Sequence, residues 1–182
     1  RGIPIEIYHD PKHAYNVDAP IRVWSRGQIK AQLLTLQAMY SDLEVIVGGA
    51  IGFDTDLALV CIEMGITFHL FAPCHDQESR WPAESQRMYR DIMAMAKSVR
   101  FTHDGPYPGA WCMQRRNENM VNNANLVLAG WNGTPGGTAN CIAYARTKGK
   151  EIININPNEA NLSGIPKPTK AVEPTPERKD AV

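Results

Sequence analysis

The sequence predicts an α/β domain: a mainly parallel sheet with helices on both faces. Three observations carry this. Short apolar, β-rich runs alternate with helical patterns about a dozen residues long across residues 3–155, the mark of repeated βαβ units. Two glycine-rich turns, at 48–56 and 133–138, stand between a strand pattern and a helix pattern. A chain of 182 residues, 43% hydrophobic and 21% charged, suits one soluble domain with a sizeable core. Together these describe a Rossmann-like fold.

The elements follow in order. Residues 3–8 (IPIEIY) form the first expected strand, and a polar stretch follows. Residues 21–40 are apolar at Ile21, Trp24, Ile29, Leu33, Leu36 and Met39, which fits a helix with one buried face. Residues 43–47 (LEVIV) run apolar between a polar turn and two glycines and predict a buried strand. After the first glycine turn, a helix covers 57–64 and stops at Gly65. Residues 66–72 (ITFHLFA) predict a strand ended by Pro73. Residues 82–97 carry a proline in the first turn and apolar Met88, Ile92, Met95 and Ala96, which marks a helix. A strand at 98–102, the loop HDGPYPG, a helix at 111–123 and a strand at 126–129 follow. The second glycine turn leads to a helix at 138–146 and a last strand at 151–155. Residues 157–182 hold five of the 13 prolines and few large apolar side chains. The expected division is therefore a domain over 1–156 and a Pro-rich flexible tail over 157–182.

Composition narrows the function classes. Nineteen basic and 19 acidic residues cancel, so the chain lacks the basic excess of a nucleic-acid binder. Arg80, Arg87, Arg90, Arg115 and Arg116 leave room for a local basic groove. The four cysteines form no CxxC pair, so no metal site is expected, and Cys61 and Cys141 sit in apolar helical patterns as small hydrophobes. No long apolar run or signal peptide occurs, so no membrane partner is expected and the cytoplasm is the expected compartment, with reduced thiols. The chain opens at Arg1 rather than Met.

The glycine turns point to a ligand. In an open α/β sheet, ligands bind beyond the carboxyl ends of the strands. Turns there aim backbone N–H groups and the positive end of a helix at an anion. The first turn offers Gly48, Gly49 and Gly52, followed by Asp54, which either caps its helix or accepts from a ribose hydroxyl. It matches neither a dinucleotide fingerprint nor a Walker A loop, so no cofactor is expected. The second turn, with Gly136, Gly137 and Thr138, is the better phosphate cradle, although Thr138 has capping as its alternative role. On the helix between them, Met113 and Met120 pull Arg116, beside Asn117, toward the core side or a pocket, with a solvated face as the alternative, whereas Arg115 faces solvent. Glu78, Arg80 and Trp81 follow the strand at 66–72 and belong near the pocket rim. There Trp81 stacks on a base or simply packs, and Arg80 pairs with phosphate or with Glu78.

In this order the segments GGAIGFD, QESRWP, MQRRNENMV and AGWNGTPGGTAN resemble the SLOG superfamily, which includes DNA-processing protein A and the lonely-guy phosphoribohydrolases. The chain is most similar to its YspA/YpsA-like branch over residues 45–156. The resemblance implies a Rossmann-like domain for a nucleotide-derived ligand, held by Gly48, Gly49, Gly52, Asp54, Arg116, Gly136, Gly137 and Thr138. It also implies association between copies through helix faces. Residues 88–95, rich in Met, offer one such face, with core burial as the simpler account. The family's first strand ends in a TGHR-like motif, of which residues 7–11 (IYHDP) keep only the His and the Pro.

The lonely-guy enzymes carry M-x-x-R-K-x-x-M and PGGxGTxxE. Here Met113, Arg116 and Met120 keep register, Asn117 replaces Lys, and Asn140 stands where the resemblance places the catalytic Glu. N-glycosidic cleavage needs a carboxylate to stabilise an oxocarbenium-like cation or activate water. Glu118 and Asp54 are the substitute candidates, with a surface helix position as the simpler reading of Glu118. Three classes of function follow: a sensor or sequestering module for a nucleotide-derived small molecule, a nucleoside-monophosphate N-glycosidase, and a single-stranded DNA binder, the last disfavoured by the zero net charge.

Overall fold

A computed structural model describes residues 15–160, so the strand expected at 3–8 and the tail beyond 160 lie outside the described residues. Helix α1 spans Pro20–Met39, with proline in its first turn, where the missing N–H costs nothing. It buries Ile21, Ile29, Leu33 and Leu36 of the expected stripe together with Arg22 and Ser25, whereas Trp24 is half-buried and Met39 is exposed. Strand β1 (Val45–Val47), helix α2 (Phe53–Met64) and strand β2 (Phe68–Ala72) follow. Then come α3 (Ala83–Met95), β3 (Ser98–Phe101), α4 (Trp111–Asn123), β4 (Leu126–Gly130), α5 (Gly137–Thr147) and β5 (Glu151–Ile155).

Most boundaries shift by one or two residues from expectation, such as β1 starting at Val45 and β2 at Phe68, and two differences matter more. Helix α2 begins at Phe53 rather than Leu57, because Gly52 (φ 103°) turns the chain and lets Asp54 and Asp56 occupy the acid-favouring first turn. Within the stretch expected as a tail, Pro157–Glu159 form a 3-10 turn, and Ala160 packs with Ala19 and Ile21 against Trp24.

All strand pairs among the described residues are parallel. One group has the order β1-β2-β3, with Val45 opposite Phe68 and Leu70 opposite Val99. The other is β4-β5, with Leu128 opposite Ile153. Both groups feed one core: Val47, Leu70 and Ile155 join Ile29, Leu33, Val60 and Ile92. Helix α1 packs on α2 and α2 on α3, while α4 packs on α5 and over β2. This is a Rossmann-like arrangement, in which strands covered on both faces read as near-continuous apolar runs.

An ion cluster locks α1 to α2. Asp56 is fully buried and accepts from Arg22 Nε at 2.7 Å and Arg26 Nη1 at 3.1 Å. Burial raises the Asp56 pKa, and the two guanidiniums oppose that shift. Helix periodicity alone did not reveal this cluster. Within α3, Tyr89 and Ile92 are buried, Met88 and Met93 pack against the core, and Met95 is exposed. Among the described residues no helix is long and apolar enough to cross a membrane.

Candidate functional site

Strand β1 delivers the first glycine turn to the carboxyl edge of the sheet. Gly48, Gly49 and Gly52 are buried there, and two of them are needed for close approach. The Arg116 guanidinium lies directly on Gly48, donating from Nη1 to its carbonyl oxygen. A Cβ at Gly48 would overlap that nitrogen and come within 2.7 Å of Asp54 Oδ2. Gly49 (φ 70°) has Leu70 and Tyr89 carbons at 2.8 Å from the same test position, and Gln77 Nε2 donates to its carbonyl at 2.8 Å.

The Asp54 carboxylate occupies the positive end of α2. It accepts from the Ala50 N–H at 3.2 Å and pairs with Arg116 Nη1 at 3.5 Å. The helix N-cap is Gly52, so Asp54 braces the turn from within the helix rather than capping it. Its side chain remains 24% exposed. An anion approaching here would meet a like charge, whereas a hydroxyl would meet an acceptor.

The second turn is differently made. Its N-cap is Gly136 (φ 152°), no side chain caps α5, and no acid sits in the first turn of that helix. Thr138 lies inside the helix, exposed, and does not cap it. Gly136 and Gly137 have open space around them. The turn is braced from behind: Trp131 Nε1 donates to the Thr134 carbonyl at 2.8 Å, and Thr134 Oγ1 donates to Asn132 Oδ1 at 2.8 Å. Free helix N-terminal amides without a local acid favour an anion.

Both turns line one cavity of about 1300 Å³. Ile51, Phe53 and Asp54 come from the first, and residues 134–138 from the second. Arg116 and Asn117 enter from α4 between flanking Met113 and Met120, and Trp81 and Cys141 complete the nearby wall. Phe53 links the halves, because its ring lies so close to Gly130 that a side chain at that position would overlap it. Arg116 is 4% exposed, and its Nε is buried without a hydrogen-bond partner among the described residues. Burial raises the Cys141 thiol pKa; the nearby Asp54 adds to the shift and Arg116 opposes it.

The YspA SLOG family profile matches residues 20–156, a span that takes in both turns and α4. The chain belongs to the YspA SLOG family. It is 26% identical over 145 residues to an uncharacterised SPβ prophage-derived protein, YoqJ, of Bacillus subtilis (strain 168), a match covering 70% of this chain and 82% of that protein. It is 28% identical over 89 residues to a UPF0398 protein of Brevibacillus brevis, covering 46% of this chain and 47% of the relative. The match thus spans about half the length of that second relative.

Other expected site residues of this SLOG domain lie elsewhere. Glu118 accepts from Gln114 Nε2 at 3.1 Å on α4 and is absent from the cavity wall. Glu78 faces Arg90 at 3.4 Å, with Oε2 buried and without a hydrogen-bond partner among the described residues, and Arg80 is exposed; neither lines the cavity. Trp81 does line it and meets the Tyr89 ring edge-on, with centroids 5.4 Å apart. Asn140 is exposed on α5. Phe53, Gln77 and Tyr89 carry no local sequence signal, because each matters through a glycine distant in the chain.

Proposed function

We propose that this SLOG domain binds a nucleotide or nucleotide-derived ligand and acts as a sensor or sequestering module. One observation carries the reading: two glycine turns and a buried arginine open on the same cavity. The ligand phosphate sits at the amides of Gly136, Gly137 and Thr138, where the α5 dipole is uncompensated. Arg116 adds positive charge from the cavity floor. Asp54 accepts from a ribose hydroxyl, and the base lies along Ile51, Phe53 and Trp81. Gly48, Gly49 and Gly52 serve this site indirectly, by letting Arg116 and Tyr89 approach the turn.

Binding without turnover is favoured by the carboxylates. The position the enzyme resemblance assigns to Glu holds Asn140, and Asp54 is already engaged by Arg116 and Ala50. The test is a thermal-shift panel of AMP, GMP, IMP, CMP, UMP, ribose 5-phosphate and inorganic phosphate, with base release followed by chromatography. A true ligand at 100 times its Kd adds about 2.7 kcal/mol. That corresponds to a rise in Tm of about 5–10 °C for a chain this long. Stabilisation without released base supports a binding module. Released base makes the domain an N-glycosidase, and a panel that shifts nothing removes the proposal.

A further inference from the structure

We infer that Ser98, His69 and Glu44 act as nucleophile, base and orienting carboxylate in a second site, which takes the acyl group of a short-chain ester and passes it to water. The three side chains lie at the N-terminal edge of the sheet, at the other end of β1 from Gly48. Of the three, only Glu44 borders the cavity described above. The His69 ring stands between two partners. Its Nδ1 is 2.6 Å from Ser98 Oγ, and its Nε2 is 2.9 Å from Glu44 Oε2. The sheet register sets this up. His69 lies opposite Ser98 across β2 and β3, and opposite Ile46 across β1 and β2. Glu44 stands two residues before Ile46, and side chains alternate along a strand, so all three project from one face.

The charges suit the chemistry. Lys97 Nζ donates to Glu44 Oε1, and that bond, with the one to His69, holds the Glu44 carboxyl below its usual range. An ionised carboxylate can only accept, so a neutral imidazole here carries its proton on Nε2. Nδ1 is then the free acceptor, aimed at the Ser98 hydroxyl. A weak hydroxyl nucleophile is activated by this order of groups: a base in hydrogen-bond reach, itself oriented by a third group. Solvent access is divided to match, since Ser98 is exposed and the His69 side chain is only 20% exposed. The backbone adds an oxyanion donor. In the register that pairs Ser98 with His69 and takes Thr102 N–H to the Ala72 carbonyl, the amides of 98, 100 and 102 turn toward β2. The Val99 N–H turns to the other edge, which no strand pairs among the described residues. It therefore lies next to the Ser98 hydroxyl, placed for a developing oxyanion. In the reaction Ser98 Oγ attacks the acyl carbon as its proton passes to His69 Nδ1. The bond from the acyl carbon to the leaving oxygen breaks, and the alcohol departs with that proton. Water then attacks the acyl-Ser98 ester with His69 again as base, releasing the carboxylic acid and restoring the hydroxyl. Ser98 stands on open surface, so the substrate is a small acyl group on a good leaving group, as in an aryl acetate.

The test uses the full chain without nucleotide, with p-nitrophenyl acetate as substrate and a biotinylated alkyl fluorophosphonate, which loses fluoride to an activated serine, as probe. The expected result is one adduct, mapped to Ser98 by peptide mass spectrometry. Ester hydrolysis should fall at least about 100-fold in Ser98→Ala and in His69→Gln. Glu44→Gln should slow both reactions, because an amide that donates to Nε2 leaves the ring proton on Nδ1, facing Ser98. A melting temperature close to that of the wild type shows that each variant is folded. Three results overturn the inference. One is a folded wild-type chain with no adduct at Ser98. Another is labelling of Ser98 at an unchanged rate in His69→Gln, which makes the contact between them purely structural. The third is hydrolysis that survives in Ser98→Ala. Because the assay contains no nucleotide, failure of the ligand proposal leaves these outcomes untouched.

Discussion

Replacing Gly48 by alanine tests the contact on which the site is built. The added methyl would overlap Arg116 Nη1 and lie 2.5 Å from Cζ and 2.7 Å from Asp54 Oδ2. Gly48 is not among the glycines with positive φ, so the cost is steric and not conformational. The guanidinium must leave, giving up its bond to the Gly48 carbonyl and its pairing with Asp54. A hydrogen bond to a charged group is worth about 1.5–3 kcal/mol, and overpacking costs about 1–3 kcal/mol. Reduced entropy of the unfolded chain returns about 0.4–1 kcal/mol. The net expectation is a loss of about 2–5 kcal/mol, or about 4–20 °C in Tm. Urea unfolding of Gly48→Ala, Arg116→Met and the double variant measures it. In the Arg116→Met background the two guanidinium overlaps are gone and only the Asp54 Oδ2 contact at 2.7 Å remains, so the cost should fall by about 2 kcal/mol. A single-variant cost below about 0.5 kcal/mol, or an equal cost in both backgrounds, refutes the reasoning.

Three further expectations follow. Gly137→Glu puts a carboxylate at the α5 N-terminus in open space; unfolding should show it neutral or stabilised by about 0.3–1 kcal/mol, while the nucleotide-induced Tm shift is lost. Asp56→Ala leaves Arg22 and Arg26 without their shared acid and should cost about 3–5 kcal/mol by urea denaturation. Burial pushes the Cys61 thiol up to about 12 and Cys74 up to about 11. Both should therefore resist thiol reagents in the native protein at pH 8 and react on unfolding. A raised thiol pKa favours the fold fully below the unfolded value, about 8.5, and that contribution is lost as pH rises toward the native values. Wild-type unfolding free energy should accordingly fall above about pH 8.5, less so in Cys61→Ala.

Much of the fold was legible in the sequence because its signals are local. Ile21, Ile29, Leu33 and Leu36 recur at helical spacing, and LEVIV and ITFHLFA read as strands buried on both faces. Met113 and Met120 turned Arg116 inward before any coordinates. The ends of elements were less legible, since Gly52 and the acids after it moved the start of α2 back to Phe53. What only the tertiary structure decided was the use of each residue. Gly48 looked like a phosphate turn, yet it makes room for a guanidinium from α4. Asp54 and Gly136 both head helices, but only the first places its own carboxylate at the helix's positive end. Asp56, the last residue of the glycine-rich turn in the sequence, is the buried partner of two arginines on α1. These differences arise from contacts between distant segments, and no periodicity or local propensity encodes which distant group will arrive.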